Sequence, residues 1–192
     1  MIAPEMLPVE AVLADVAAAL RTVRRAVLVA PPGAGKTTMV PLHLIRQPDL
    51  AGRVILIQPR RIAARAAATR MASLLGEAVG QTVGWRMRLD TRVSAATRIE
   101  VVTEGVFTRL ILADPELTGI SAVLFDEAHE RHLDSDLGLA LAIESSQVLR
   151  GDLRIVVMSA TIDGSRFARL LGGAAHAGCE LRRKIVCSNC LS

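Results

Sequence analysis

Tyrosine is absent from this 192-residue chain, and Trp85, Phe107, Phe125 and Phe167 are its only aromatic side chains. Its core must therefore be built from Ala, Val, Leu and Ile. Cysteine is missing from the first 178 residues, so no disulfide frame supports the body of the fold. No basic segment precedes an apolar run at the N-terminus, and no run reaches membrane-spanning length. A cytoplasmic protein without a membrane segment is expected. Lysine is scarce: of 23 basic residues only Lys36 and Lys184 are lysine, and the rest are arginine. The net charge of +4 permits a polyanionic partner without identifying one. With 51% hydrophobic residues, the chain has enough apolar material to fold rather than stay disordered, as one domain by length.

What is present follows a rhythm. Apolar runs at 26–29, 54–57, 122–125 and 155–158 read as buried strands, 98–102 as another strong strand, with weaker strand character over 81–88 around Trp85. Between them, helical spacing covers 8–20, a segment from Thr38, 62–75, 106–112 and 135–148, and another helix begins at Phe167. Pro41 should kink or shorten the second of these helices. Strands alternating with helices predict an α/β fold, a doubly wound and mostly parallel sheet with helices on both faces. In such sheets ligands lie beyond the carboxyl ends of the strands, where the polar motifs of this sequence fall.

The first of these motifs is Ala30-Pro31-Pro32-Gly33-Ala34-Gly35-Lys36-Thr37-Thr38, set between a strand and a helix. Strand, glycine-bearing loop, Lys-Thr and helix is the context of a Walker A phosphate site. Gly33 and Gly35 let the backbone of the loop wrap phosphate oxygens, with Ala34 and Thr38 contributing amides beside them. Lys36 supplies a compact positive charge in a chain that otherwise uses arginine. The Thr37 hydroxyl can take a place on Mg²⁺. The pattern opens on Ala30 where glycine is usual, so the loop must turn there without left-handed freedom, and the two prolines would pre-set that turn.

Asp126-Glu127-Ala128-His129 follows the strand at 122–125. Asp126 can hold Mg²⁺ directly or through water. Glu127 can orient or deprotonate an attacking water. Acids at a helix start explain an isolated Asp-Glu well enough, but the phosphate loop about ninety residues earlier makes that explanation insufficient.

With Ser159-Ala160-Thr161 added, the set resembles the first RecA-like domain of superfamily 2 helicases. The Asp-Glu-Ala-His spelling places the resemblance among DEAH-box helicases, and the phosphate-loop wording is most like the bacterial HrpB-type. This implies a P-loop NTPase fold, ATP and Mg²⁺ as cofactors with other NTPs accepted, and single-stranded RNA or DNA as partner. Lys36 and Thr37 would bind phosphate and Mg²⁺, and Asp126 and Glu127 would be the metal-linked acid and the catalytic carboxylate. His129 would couple the site to a neighbouring helicase domain, and Ser159 and Thr161 would link hydrolysis to strand movement. Pro59-Arg60-Arg61 matches a nucleic-acid motif in which Arg61 is expected on the backbone beside Arg60. Thr103-Glu104-Gly105 matches another, with Thr103 as the contact. Arg70 sits where the family places an arginine that stacks on the base. Bland readings stand beside these: Arg61 and Arg70 as solvated arginines, Thr103 as a helix cap.

DEAH-box helicases carry a second RecA-like domain with a Gln-x-x-Gly-Arg-x-Gly-Arg motif, and no such string occurs here. The chain is expected to be a monomeric first domain over residues 1–173, of very low activity on its own, with an atypical tail over 174–192. That tail holds His176, Cys179, Cys187 and Cys190, nominally a zinc set, although a non-native or disordered tail explains it more simply. A nucleotide-dependent binding module without unwinding activity and a P-loop phosphotransferase are the competing functions. The spacing of Asp126 and the Ser159-Ala160-Thr161 motif argue against the second of these.

Overall fold

The computed structural model describes residues 7–130, 132–160, 167, 171–172 and, for their backbone, 175–178. Eight strands form one sheet: β1 (Arg25–Val29), β2 (Arg53–Gln58), β3 (Val83–Met87), β4 (Asp90–Arg92), β5 (Ile99–Thr103), β6 (Ile120–Phe125), β7 (Arg154–Ser159) and β8 (Ala175–Gly178). Their order is β4-β3-β5-β2-β6-β7-β1-β8. Among the described residues only the β3–β4 hairpin is antiparallel. The helices are α1 (Leu13–Thr22), α2 (Lys36–Leu44), α3 (Arg61–Leu74), α4 (Glu104–Ala113) and α5 (Leu133–Val148).

The pleat sorts the core. Ala26, Leu28, Val54, Leu56, Leu124 and Val156 pack with residues of α1, α2 and α3 on one face. Their neighbours Val27, Ile55, Ile57, Val123, Phe125 and Val157 pack with α4 and α5 on the other. Strands β1, β2, β6 and β7 bury both their faces, which is why these stretches read as unbroken apolar runs. Chain direction agrees with the layering. The connections through α2 and α3 move toward β3, and those through α4 and α5 move back toward β7. Reversing the direction of travel puts the helices on the opposite face if every crossover is right-handed.

Few aromatics leave the packing to small residues. Phe107 and Phe125 meet edge to face at 5.5 Å, and a Cβ on Gly138 of α5 would come within 3.0 Å of Phe107. A larger residue at 138 would push α5 away from the sheet. Glu100, fully buried on β5, is satisfied by Arg53 of β2 and Arg86 of β3, so one carboxylate ties three strands.

The start of α2 and the edge of the sheet differ from the sequence expectation. Helix α2 starts at Lys36, two residues early, because Gly35 in the left-handed conformation (φ 90°) turns the chain directly into it. Pro41 lies inside α2, and the helix runs only nine residues, the short helix expected around this proline. The sheet also extends past residue 173, since Ala175–Gly178 pairs in parallel with β1. That four-residue strand, Ala-His-Ala-Gly, lacks the β-branched pattern that marks the others. Cys179, Cys187 and Cys190 lie outside the described residues.

Candidate functional site

The carboxyl ends of β1, β2, β5, β6 and β7 lie along one side of the sheet, and each carries a polar motif. After β1, Ala30 is 1% exposed, and its N–H donates to the Ser159 carbonyl across from it at 3.1 Å. Ala30 has no positive φ, so no glycine is required there. The loop then turns on itself, with the Ala34 N–H donating to the Pro31 carbonyl at 3.2 Å. Gly33 and Gly35 take φ of 78° and 90°. A Cβ on Gly35 would lie 2.8 Å from the Leu7 Cδ1 methyl, which would have to shift, so the conformation is what chiefly requires glycine here. No side chain caps α2. Its first amides are therefore aimed at the loop, where the helix N-terminus attracts an anion.

Four polar side chains converge beside this loop. The Thr37 hydroxyl donates to Asp126 Oδ2 at 2.6 Å. The Glu127 N–H donates to Oδ1 of the same carboxylate at 2.9 Å. Lys36 Nζ lies 3.5 Å from Glu127 Oε1, with the lysine side chain only 4% exposed. Burial pushes the Asp126 carboxyl above its ordinary value, and the Glu127 charge adds to that; the Thr37 hydrogen bond, Lys36 and Gln58 oppose it. A buried carboxylate next to a hydroxyl is a hard-oxygen donor set that suits Mg²⁺. Glu127 itself has φ 51°, a conformation uncommon outside glycine and asparagine.

His129 lies on the turn Ala128–Glu130 after this acid pair. Its Nδ1 is 3.4 Å from Glu127 Oε2 and 3.4 Å from the Ala160 N–H. It thus stands between the acidic motif and the segment after β7, within reach of either. Ser159 is buried at the end of β7. Thr161 lies outside the described residues.

A pocket of about 460 Å³ opens from Thr37, Thr38 and Glu127 toward α3, where Arg70, Arg60 and Glu130 also line it. Its α3 wall is alanine: Ala63, Ala66 and Ala67. Arg70 thus shares a pocket with the phosphate loop. Arg60 does too, paired with Glu130 at 2.6 Å. Arg61 points elsewhere, its Nη2 donating to the Arg88 carbonyl in the β3–β4 turn at 3.2 Å. Thr103 occupies the N-cap position of α4, yet its hydroxyl makes no capping hydrogen bond.

A second groove, about 560 Å³, lies between that turn and α4 and is lined by Arg86, Arg88, Leu89 and Arg109. These arginines were not singled out by sequence, since they are scattered and only the β3–β4 hairpin gathers them. The hairpin is braced by Arg65 and Arg92, whose guanidinium carbons lie 5.8 and 5.3 Å from the Trp85 ring centre. Gln58 was also missed. Strand β2 ends on it, and its side-chain amide donates to Asp126 Oδ2 at 2.6 Å.

Comparison with known proteins places this geometry in context. The sequence matches the DEAD/DEAH box helicase family over residues 12–170. It is 51% identical over 165 residues to the ATP-dependent RNA helicase HrpB of Escherichia coli K12, covering 86% of this chain and 20% of that protein. It is 42% identical over 144 residues to human DHX35, named a probable ATP-dependent RNA helicase, covering 73% of this chain and 20% of that one. A crystal structure of the Escherichia coli DEAH/RHA helicase HrpB superposes with a TM-score of 0.88 at 49% identity, covering 92% of this chain and 22% of that one. The chain thus spans about a fifth of the length of these relatives.

Proposed function

The chain belongs to the DEAD/DEAH box helicase family, and from that premise we propose that it is the nucleotide-binding RecA-like unit of an ATP-dependent helicase acting on single-stranded RNA. RNA is preferred over DNA because the relatives carry RNA helicase in their names. The proposal includes a monomer, a cytoplasmic location, and a second RecA-like unit supplied by the rest of a longer protein. The observation that carries it is the convergence of Lys36, Thr37, Asp126 and Glu127 on one uncapped helix N-terminus.

Lys36 would move from Glu127 to the β- and γ-phosphates, a stronger anion, while the loop amides hold their oxygens. Glu127, released from that pair, would orient and deprotonate the attacking water. Thr37 and Asp126 would hold Mg²⁺, which supplies neutralisation of the phosphate charge. Arg70 would lie over the base, with the alanine wall of α3 leaving room for a flat ring. His129 would pass the state of Glu127 to the segment holding Ser159 and Thr161. The groove of Arg86, Arg88 and Arg109, with Arg61 bonded to the Arg88 carbonyl, would hold the phosphate backbone of the strand, and Thr103 at the start of α4 would add a contact. Arg60, paired with Glu130, would serve the nucleotide side.

The test is Lys36→Ala. Removing the only cation of the loop should weaken a fluorescent ATP analogue by about tenfold or more. Unchanged affinity would remove the phosphate site from the proposal.

A further inference from the structure

We infer that Gln58 is a positioning residue for the cation site, holding the Asp126 carboxylate in the orientation that Mg²⁺ requires without itself occupying a ligand place; the inference rests on the nucleotide-binding reading above. A carboxylate only accepts hydrogen bonds, so the Gln58 amide must present its nitrogen to Asp126, and it does so at 2.6 Å. Both groups are 3% exposed, so water does not replace this donor cheaply. Three donors then fix one carboxylate: the Glu127 N–H on Oδ1 at 2.9 Å, and the Thr37 hydroxyl and Gln58 amide on Oδ2, each at 2.6 Å. Their chemistry differs. The Thr37 hydroxyl can donate to Asp126 while its lone pairs face a cation. The Gln58 nitrogen has no lone pair to offer a metal. Through this nitrogen Gln58 sets the plane of the carboxylate.

The backbone supports this task. Gln58 is the last residue of β2, and the Asp126 N–H donates to the neighbouring Ile57 carbonyl at 3.1 Å. Pro59 follows and restricts Gln58 to extended conformations. The amide is therefore anchored to the sheet on the strand next to the one that carries Asp126. Removing such a supporting donor typically lowers metal affinity by roughly 10- to 100-fold.

The test uses the 192-residue chain and a fluorescent ADP analogue, titrated with Mg²⁺ and compared with EDTA. Wild type should bind more tightly with Mg²⁺. Gln58→Ala, and Gln58→Met, which keeps the length but not the donor, should match wild type in EDTA and shift the Mg²⁺ midpoint upward by about tenfold or more. If Gln58→Ala does not fold by circular dichroism, Gln58→Met decides. Folded variants with an unmoved midpoint, or with equal losses in EDTA and Mg²⁺, would overturn the inference and leave the proposed function standing. A wild-type chain that binds no nucleotide under either condition would overturn both.

Discussion

His129 Nδ1 can serve only one partner at a time. As a bare nitrogen it accepts the Ala160 N–H, and as a protonated one it donates to Glu127, each at 3.4 Å. On the proposed reading, nucleotide would draw Lys36 from Glu127, change the charge His129 meets, and so favour one contact over the other. Glu127 is the pivot, held at φ 51° between Lys36 and His129. Its backbone strain at a crowded polar site is of the kind stored where function requires it. Glu127→Gln keeps the shape and removes the base. In the longer protein we expect ATP binding to persist while turnover falls by roughly a hundredfold or more. Equal losses in binding and turnover, measured by titration and steady-state kinetics, would make Glu127 a structural residue instead.

At the scale of elements, α3 bears on base choice. Among described residues its pocket offers Arg70 and alanines; the one amide that lines it, Gln58, is engaged with Asp126, and the sequence has no Gln before the phosphate loop. ATP, GTP and CTP should therefore compete for the site within about an order of magnitude, and a strong preference for ATP in competition binding would point to an unseen adenine reader. The turn after α5 bears on stability. Arg150 donates to the Glu116, Leu117 and Ile120 carbonyls and grips Asp152 through two nitrogens. Arg150→Ala should cost about 2 kcal/mol, lowering the melting temperature by about 4–8 °C; an unchanged melting curve would contradict this. Arg150 holds the Asp152 carboxyl down to about 2. A depressed acid stabilises the fold above its ordinary value and loses that contribution as pH falls toward about 2. Asp152 is 60% exposed, so the effect stays below about 1 kcal/mol.

The elements also show what sequence makes legible. Strands buried on both faces stand out as apolar runs, so β1, β2, β5, β6 and β7 were readable, and with them the loops that carry Lys36 and Asp126. Helix α3 was readable from its alanine spacing. The three-residue β4 was not, because Asp90, Thr91 and Arg92 carry no apolar alternation and pair only through the hairpin. The groove of Arg86, Arg88 and Arg109 and the Gln58–Asp126 bond share that reason. They join residues distant in sequence, and only the sheet order brings them together.

At the scale of the whole molecule, the parallel sheet gathers its motifs along one side, with the nucleotide pocket against α3 and the basic groove against the hairpin and α4. Phosphoryl transfer requires charge stabilisation around the whole γ-phosphate. In the proposed site Lys36, the loop amides and the cation would cover one side, and this sequence holds no Gln-x-x-Gly-Arg-x-Gly-Arg string that would cover the other. The most direct measurement is NTP turnover by this chain, with and without single-stranded RNA, beside the longer protein. We expect nucleotide binding, turnover about a thousandfold or more below the longer protein, and no response to RNA. RNA-stimulated turnover by this chain alone at the rate of the longer protein would contradict the claim that it forms one half of a two-sided site.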